Sequence, residues 1–358
     1  MADDAKTTMS QCILFQNEDR TVVLIDIPRS IEEAQFLSRT ENSRTAGPRR
    51  LISSKPPEEP YKTPDPRNPT PNPDLAAAIA DLTAAASTEE ALRVLRESYA
   101  GPWCLDRTLA QADDEGGGPA QGRKRKAAPD GEDSCASEGQ NSVSEPLIPE
   151  TSVYLQGTIS AERTRFLKEA PLFDLLVLDP PWPNRSARRK RHSYSTANNL
   201  YEIRETLALI PIAANLAPEG LVAIWITNKA SAVELLTSAR GLLAEWGLEL
   251  IDEWTWLKVT TSGEPIVDIN STWRKPWERI LIAKKRGSER KKLPGQRRVI
   301  VSVPDLHSRK PNLRALFDGV LPPGYRGLEV FARNLTAGWW AWGDEALKFQ
   351  QPEHWVDL

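Results

Sequence analysis

The feature that most constrains the fold is a series of short apolar runs that alternate with helical patterns after residue 150. Several of these runs are almost wholly apolar, which is typical of strands covered on both faces of a sheet. Strands and helices in alternation predict an open α/β sheet, and such sheets bind ligands beyond the carboxyl ends of their strands. The runs are 153–157, 173–179, 221–226, 248–259, 278–285, 298–303 and 327–333.

Composition divides the rest of the chain into parts of different character. One stretch is rich in proline, and another is acidic and rich in glycine and serine, so we expect both to be linkers. Between them lie two segments rich in alanine and leucine, which predict paired helices. The predicted regions are 1–45 (a small N-terminal element with Ser30 as a helix cap), 46–73 (a Pro-rich linker), 74–110 (a helical hairpin), 111–149 (a disordered linker with basic and acidic residues) and 150–358 (the α/β domain).

Several classes of protein are disfavoured by composition. The cysteines lie far apart without a CxxC spacing, which disfavours both a disulfide framework and a zinc site and fits a reducing compartment. The histidines are equally scattered, so we expect no metal site. No apolar run reaches the roughly 18 residues of a membrane span, and the first residues lack a signal-peptide core. The residues in question are Cys12, Cys104, Cys135, His192, His307 and His354.

The segment DPPW directly follows the apolar run FDLLVL, where an open sheet is expected to bind its ligand. Its two prolines fix φ and lack an N–H, so they form a stiff turn that presents a carboxylate, a proline carbonyl and an indole. The two acceptors can orient an exocyclic amine on a planar base, and the indole can stack on that base. We therefore predict Asp179, Pro180, Pro181 and Trp182 as catalytic residues. The alternative is a strand-terminating turn with an aromatic lid.

Basic residues follow this turn at once, from Arg185 to His192, and a second basic run spans 284–298. Cations beside a base-binding pocket suit a phosphate backbone, although solvated loops are the alternative. A third run, Arg123 to Lys126, predicts either a nuclear-localisation signal or a solvated charge run. Together these runs predict a nucleic-acid partner and a nuclear location, whereas the net charge of −3 is uninformative.

Four segments carry a family resemblance: VLDPPWPNRS, STWRKPWERILIA, PDLHSRKPNL and GLEVFARNLTAGWWAWGDEALKF. In this order they resemble the MT-A family of adenine-N6 methyltransferases, and most of all its methyltransferase-like-four branch. The resemblance covers about residues 150–358. It implies a Rossmann-like α/β fold that depends on S-adenosylmethionine, with a permuted motif order in which the catalytic turn comes first and the cofactor strand comes late.

The resemblance also implies roles for particular residues. Each of three residues has an alternative to its implied role. Arg333 could form an ion pair with Glu329, Trp277 could pack in the core, and Lys310 could lie in a solvated turn. The implied cofactor-binding residues are Lys275, Glu329, Arg333, Asn334, Asp344 and Glu345. The implied substrate-binding residues are Arg185, Arg189, Tyr194, Lys258, Trp277 and Lys310.

These observations favour an enzyme that transfers a methyl group from S-adenosylmethionine to the N6 amine of adenine in nucleic acid. The branch resemblance implies that the substrate is either small nuclear RNA, with 2′-O-methyladenosine as a target, or DNA. Both substrates stay open because a flipped adenine presents the same edge in RNA and in DNA. It also implies a monomer without an obligate partner. A non-catalytic nucleic-acid-binding subunit is the main alternative, and a methyltransferase of small molecules or glutamine side chains is another.

Overall fold

The computed structural model describes residues 10–37, 49–62, 75–110, 145–183, 199–271, 274–290 and 293–358. Its strands are β1 (Ile13–Gln16), β2 (Val22–Ile25), β3 (Arg49–Ser53), β4 (Thr108–Leu109), β5 (Val153–Gln156), β6 (Phe173–Leu178), β7 (Leu216–Ile226), β8 (Leu248–Lys258), β9 (Trp277–Lys285), β10 (Val299–Ser302), β11 (Gly327–Val330), β12 (Trp340–Gly343) and β13 (Trp355–Asp357). Its α-helices are α1 (Ile27–Ala34), α2 (Leu75–Ser98), α3 (Ile159–Glu169), α4 (Leu200–Ala208), α5 (Ile212–Asn215), α6 (Ala230–Thr237), α7 (Leu242–Glu245) and α8 (Arg314–Phe317). Two 3-10 helices, Lys348–Gln350 and Pro352–His354, lie near the end of the chain.

The described strands form one large sheet and one small sheet. The large sheet has ten strands in the order β1-β2-β10-β8-β9-β7-β6-β11-β12-β5. Strand β6 pairs in parallel with both β7 and β11, whereas β9 runs antiparallel to both β7 and β8. All seven predicted runs fall on strands of this sheet, so the predicted α/β fold class is confirmed.

Apart from Asp174, strand β6 is apolar because it is buried on both faces of the sheet. Leu176 and Leu178 belong to the core on one face, where Phe166 of α3 also packs. Leu175 and Val177 belong to the core on the other face. Each side chain of this kind stabilises the fold by about 1.5–3 kcal/mol through burial. The two cores therefore fix the position of the residue that follows β6.

Residues 10–37 are part of the large sheet and not a separate element, because β2 pairs in parallel with β10. The predicted cap at Ser30 is wrong, since α1 begins at Ile27 and its cap is Asp26. The Asp26 carboxylate accepts a hydrogen bond from the Arg29 N–H at 2.9 Å. Pro28 fits in the first helical turn, where its missing N–H is not needed, so the helix starts earlier than predicted.

The predicted helical hairpin at 74–110 is also wrong, because α2 is one continuous helix of 24 residues. Serine and threonine near residue 88 suggested a break. Thr88 instead lies inside the helix, where its hydroxyl donates to the Ala85 carbonyl at 2.8 Å. Leu92 and Leu95 of α2 pack in a core with β10 and β2, which explains why the helix continues. Tertiary packing outweighs the local signal here.

The predicted Pro-rich linker at 46–73 contains strand β3, which pairs with β13 and β4 in a three-stranded sheet. Residues 46–48 and 63–73 of that linker and residues 111–144 of the second predicted linker lie outside the described residues. Pro211 separates two helices, since α4 ends at Ala208 and α5 begins at Ile212. None of the described helices has both the length and the apolar character needed to cross a bilayer.

Candidate active site

A cleft lies at the edge of the sheet where β6, β7 and β11 end, and its volume is about 510 Å³ including space open to solvent. Asp179 enters it from the end of β6, and Trp225 enters it from β7. Glu329 of β11 and the turn at 331–334 form one wall. The loop at 308–313 forms the other. The cleft therefore occupies the edge that the alternating pattern of strands and helices predicts.

The catalytic turn predicted from DPPW is held by main-chain contacts on both sides. The Asp179 N–H donates to the Val330 carbonyl at 3.3 Å, which ties the turn to β11. The Trp182 N–H donates to the Pro180 carbonyl at 2.7 Å. The Trp182 indole Nε1 donates to the Trp225 carbonyl at 2.8 Å, which ties the turn to β7. The half-buried indole is therefore fixed beside the cleft.

Lys258, Glu278, Lys310 and Asp179 form a row of alternating positive and negative charges beside the cleft. The Lys310 Nζ lies 3.5 Å from the Asp179 Oδ1 and also forms an ion pair with Glu278. The Lys258 Nζ donates to the other Glu278 oxygen at 2.5 Å. Lys310 lies over the Trp225 ring, 4.5 Å from its centre. The structure therefore brings Lys258 and Lys310 together with Asp179, and the alternative of a solvated turn for Lys310 is wrong.

Sequence reasoning missed Glu278, although an acidic residue at the start of a largely apolar strand was a usable signal. Strand β9 is antiparallel to its neighbours, so its first residues lie at the edge where β6 and β8 end. Glu278 is the register partner of Trp256, and alternation along β8 puts Lys258 on that same face. The antiparallel direction thus carries this carboxylate into the site.

These contacts shift the pKa values of Asp179, Glu278 and Lys310. Burial raises the pKa of Asp179, as does Glu278, while Lys310 and Arg333 lower it in part. Burial also opposes ionisation of Glu278, but Lys310 and Lys258 hold its pKa well below the usual range. Burial alone would lower the pKa of Lys310, yet Asp179 and Glu278 together raise it above its usual value. Glu278 and Lys310 are therefore charged at neutral pH.

Glu329 behaves in the opposite way to Glu278. Burial, followed by repulsion from Asp179, raises the pKa of Glu329 to about 8. At neutral pH its carboxyl group is therefore mostly protonated and can donate a hydrogen bond into the cleft. A neutral Glu329 also spares Asp179 a second negative neighbour.

The turn after β11 supplies polar groups to the far end of the cleft. Arg333 forms an ion pair with Glu345 at 3.2 Å, so the alternative pairing with Glu329 is wrong. The Nδ2 of Asn334 is buried and has no hydrogen-bond partner among the described residues. Phe331 has a φ of +62°, which bends the chain sharply into the cleft. An unpaired buried donor of this kind is a position where a ligand acceptor fits.

Lys275, Trp277 and Asp344 are among the predicted site residues that do not line the cleft. Lys275 pairs with Asp81 of α2 at 3.4 Å instead of facing a cofactor. Trp277 is 1% exposed and packs in the core beside Leu257, so its prediction as a pocket wall is wrong and core packing is confirmed. The reason is alternation along β9, which points Trp277 away from the face of Glu278. Asp344 is exposed.

Three predicted substrate contacts, Arg185, Arg189 and Tyr194, lie outside the described residues. Within the part of the chain that the structure describes, no group of three or more His, Cys, Asp or Glu side chains could hold a metal ion. The described site thus consists of the turn at Asp179, the acid and lysine groups beside it, and the turn that follows β11.

The fold and the cleft define an α/β enzyme with an acidic turn beyond a central strand. Residues 173–345 match the MT-A70 family. The chain is 59% identical over 360 residues to the N6-methyladenosine RNA methyltransferase MTA1 of Cryphonectria parasitica, covering 99% of this chain and 97% of the relative. The protein of the same name from Pyricularia oryzae is 49% identical over 97% of both chains. The human N(6)-adenine-specific methyltransferase METTL4 is 34% identical over 59% of this chain and 45% of its own length.

The chain therefore belongs to the MT-A70 family, and it is a methyltransferase. This confirms the family resemblance carried by the four sequence segments. The family match begins at Phe173, the first residue of β6, and ends at Glu345. The elements before β6 lie outside the family match, but both relatives that match nearly the whole chain cover them.

Proposed function

We propose that this chain transfers a methyl group from S-adenosylmethionine to the N6 amine of adenosine in RNA. The observation that carries the proposal is the Asp179 carboxylate, which lies at the end of β6 in the cleft and is held 3.5 Å from Lys310. In support, both relatives that align over nearly the whole chain bear the name of an N6-methyladenosine RNA methyltransferase.

The cleft suits the proposed methyl donor in its polar groups. The unpaired Asn334 Nδ2 and the protonated Glu329 offer hydrogen bonds to acceptors of the donor, and Arg333 lies beside them. When bound, S-adenosylmethionine supplies an electrophilic methyl group. Glu329, Arg333, Asn334 and, through Arg333, Glu345 are the residues that would hold it.

Asp179 and Pro180 orient the amine that accepts the methyl group. An exocyclic amine is a weak nucleophile because its lone pair is delocalised into the ring. The Asp179 carboxylate accepts one N–H of the amine, and the Pro180 carbonyl accepts the other through its second lone pair. This geometry directs the amine lone pair towards the methyl group, and orientation of this kind contributes a large part of catalysis. The stiff turn keeps both acceptors in place.

Lys310 and Trp182 complete the acceptor side. Lys310 lowers the pKa of Asp179 against the effect of burial, which favours the ionised carboxylate that accepts a hydrogen bond. The raised pKa of Asp179 also makes it a better proton acceptor when the methylated amine loses its proton. We expect the exposed part of the Trp182 ring to stack on the extruded base, a contact worth about 1–3 kcal/mol.

The test is incubation of the full chain with labelled S-adenosylmethionine and separate pools of RNA and DNA, followed by nucleoside analysis. We expect label in N6-methyladenosine from RNA and none with Asp179→Ala. Asp174→Ala is a matched control, because Asp174 lies at the other end of β6 and accepts only the Arg326 N–H that is 2.9 Å away. Label confined to DNA would reject RNA as the substrate, and label only in protein would reject nucleic acid.

The finer predictions about the substrate need a second comparison. We expect small nuclear RNA as a target and a preference for 2′-O-methyladenosine. Three oligonucleotides that carry 2′-H, 2′-OH or 2′-O-methyl at one adenosine distinguish these possibilities, since only contacts at that position separate RNA from DNA. Equal rates on all three would contradict the preference. Activity that appears only after a second protein is added would favour the alternative of a subunit.

Nuclear location and a monomeric state also remain part of the proposal. The basic run Arg123 to Lys126, which lies outside the described residues, is the basis for the first. Replacing these four residues with alanine in a fluorescent fusion should shift the protein out of the nucleus. Light scattering of the purified chain should give a mass near 39.9 kDa. A mass twice as large would contradict the monomer.

A further inference from the structure

We propose that Arg107 and Asp305 are positioning residues for methyl transfer, because they fasten the loop at 303–310 so that Lys310 meets Asp179. This inference rests on the proposed function and adds to it a role for Arg107, which precedes the family match. Neither residue lines the cleft, and both act through the position of Lys310.

The centre of the anchor is the carboxylate of Asp305, whose side chain is 0% exposed. Its Oδ1 accepts hydrogen bonds from the Ser54 N–H at 2.8 Å and the Ser54 hydroxyl at 3.2 Å. Its Oδ2 accepts a hydrogen bond from Arg309 Nη1 at 2.6 Å. Both oxygens of a buried carboxylate are thus satisfied, as its burial requires.

Arg107 holds the same loop through the main chain. Its Nη1 donates to the Pro304 carbonyl at 2.9 Å and to the Ser54 carbonyl at 3.1 Å. Its Nη2 donates to the Val303 carbonyl at 3.0 Å. The planar guanidinium is suited to such multiple donation, and a lysine could not reproduce it. Arg107 therefore joins β3 to the first residues of the loop.

Arg309 closes the anchor from the other side. Its Nη1 also donates to the Ile52 carbonyl at 2.9 Å, so the loop is attached to β3 at two positions. Arg309 is the residue before Lys310, and its side chain is 1% exposed. An attachment one residue away defines where the main chain of Lys310 lies. Displacement of the anchor would thus move the ammonium group that contacts Asp179 and Glu278.

The test compares Arg107→Met with Arg298→Met in the full chain. Arg298 is a matched control because it is 1% exposed and donates to the carbonyls of Arg20, Pro294 and Leu316 at 2.9–3.1 Å. It precedes β10, whereas Asp305 follows that strand, so the two arginines lie at opposite ends of it. The kcat is measured at saturating RNA and donor, below the unfolding temperature of each variant.

We expect Arg107→Met to lower kcat by about 10–100-fold, since a displacement of about 1 Å at a reacting group has effects of this size. Arg298→Met should retain kcat within about 3-fold at a comparable loss of stability. Arg107→Lys should recover part of the lost kcat, because its ammonium can satisfy some of the same carbonyls. Retention of kcat in Arg107→Met, or an equal loss in Arg298→Met, would overturn the inference.

Two further experiments distinguish a wrong inference from a variant that does not fold and from a failure of the proposed function. If Arg107→Met does not fold, the isosteric Asp305→Asn takes its place in the same comparison. If the wild-type chain does not methylate RNA, the proposed function fails. Crystal structures of the wild type and Arg107→Met then decide the inference by the distance between Lys310 and Asp179. An unchanged distance in the variant would reject the anchor.

Discussion

The Lys310 Nζ lies 3.5 Å from the Asp179 Oδ1 and also contacts a carboxylate oxygen of Glu278. One ammonium group is thus shared between the proposed catalytic carboxylate and a second acid that is itself paired with Lys258. Removal of any one of these charges leaves its neighbours uncompensated in a largely buried place. The state of Asp179 therefore depends on residues from the loop after β10 and from the first residues of β9.

Lys310→Met should move the acid limb of the kcat profile to higher pH. Lys310 lowers the pKa of Asp179, so its loss leaves burial and Glu278 to raise that pKa further. Methyl transfer needs the ionised carboxylate, and the rate falls as pH drops through this pKa. We expect a shift of about one unit or more, with kcat at pH 7 about 10–100-fold lower. The measurement is kcat from pH 5 to 9, and Lys168→Met on the exposed face of α3 is the control. An unchanged acid limb would contradict the role of Lys310.

Glu278→Gln should lower both stability and activity. Its carboxylate pairs with two lysines, and its loss leaves both ammonium groups without their partner. We expect the free energy of unfolding at pH 7 to fall by about 1–3 kcal/mol. Because the pKa of Glu278 is lowered, its contribution is present above the ordinary glutamate pKa and is lost as pH falls, so the difference should shrink in acid.

Urea unfolding at several pH values measures this effect. Glu249→Gln is the control, since Glu249 forms a looser pair with Lys284 at 3.5 Å near the opposite end of β8. Equal losses of stability in the two variants would show that the ion pairs of Glu278 stabilise the fold no more than the looser pair of Glu249 does.

Glu329→Gln should make the protein more stable in alkali than the wild type. The folded pKa of Glu329 is about 8, above the ordinary glutamate pKa of 4.5, so between these values the folded state binds a proton that the unfolded state has released. Stability is therefore fully present below the unfolded pKa and is lost as pH rises through the folded one, by at most about 1.4 kcal/mol per unit. Glutamine removes this loss.

Thermal unfolding from pH 5 to 9 tests this expectation. The two proteins should unfold at similar temperatures near pH 5 and diverge as pH rises. Glu234→Gln, at an exposed position on α6, should follow the wild type throughout. Parallel curves for Glu329→Gln and the wild type would contradict the raised pKa of Glu329.

Gly343→Ala should weaken binding of the donor. A Cβ at this position would lie 3.1 Å from the Ala332 nitrogen and 3.2 Å from the Phe331 carbonyl carbon, so the turn that lines the cleft must shift. We expect about a tenfold lower affinity for S-adenosylhomocysteine, measured by calorimetry. Gly324→Ala is the control, because its φ of +73° adds strain but nothing lies within 4 Å of the new atom. Equal affinities in the two variants would exclude a role for this close contact.

Much of the catalytic architecture could be predicted from local patterns. The run FDLLVL is apolar because β6 is buried on both faces, and Asp179 is the first polar residue after it. The segments LEVFARN and HSRKP both reach the cleft, as the resemblance implied. In these cases a local pattern and a single edge of the sheet were sufficient, because the carboxyl ends of parallel strands meet there.

The rest depended on long-range pairing that no local pattern contains. Glu278 enters the site because β9 is antiparallel, and alternation along β9 turns the neighbouring Trp277 into the core. Lys275 is drawn to Asp81 of α2, a helix nearly two hundred residues earlier in the chain. The segments 10–37 and 49–54 looked like appendages, yet their partners are strands close to the end of the sequence.

The pairing of β2 with β10 has a consequence for how the chain folds. Val22 and Val299 are register partners, so β2 can pair with β10 only after residue 299 has been synthesised. In the same way, the second edge of β6 is covered only after β11 has been synthesised. Contacts between residues so distant in sequence slow folding, and they leave strand edges exposed during translation. The catalytic strand is thus among the last to gain both neighbours. Newly made chains should therefore need protection from aggregation until synthesis is almost finished.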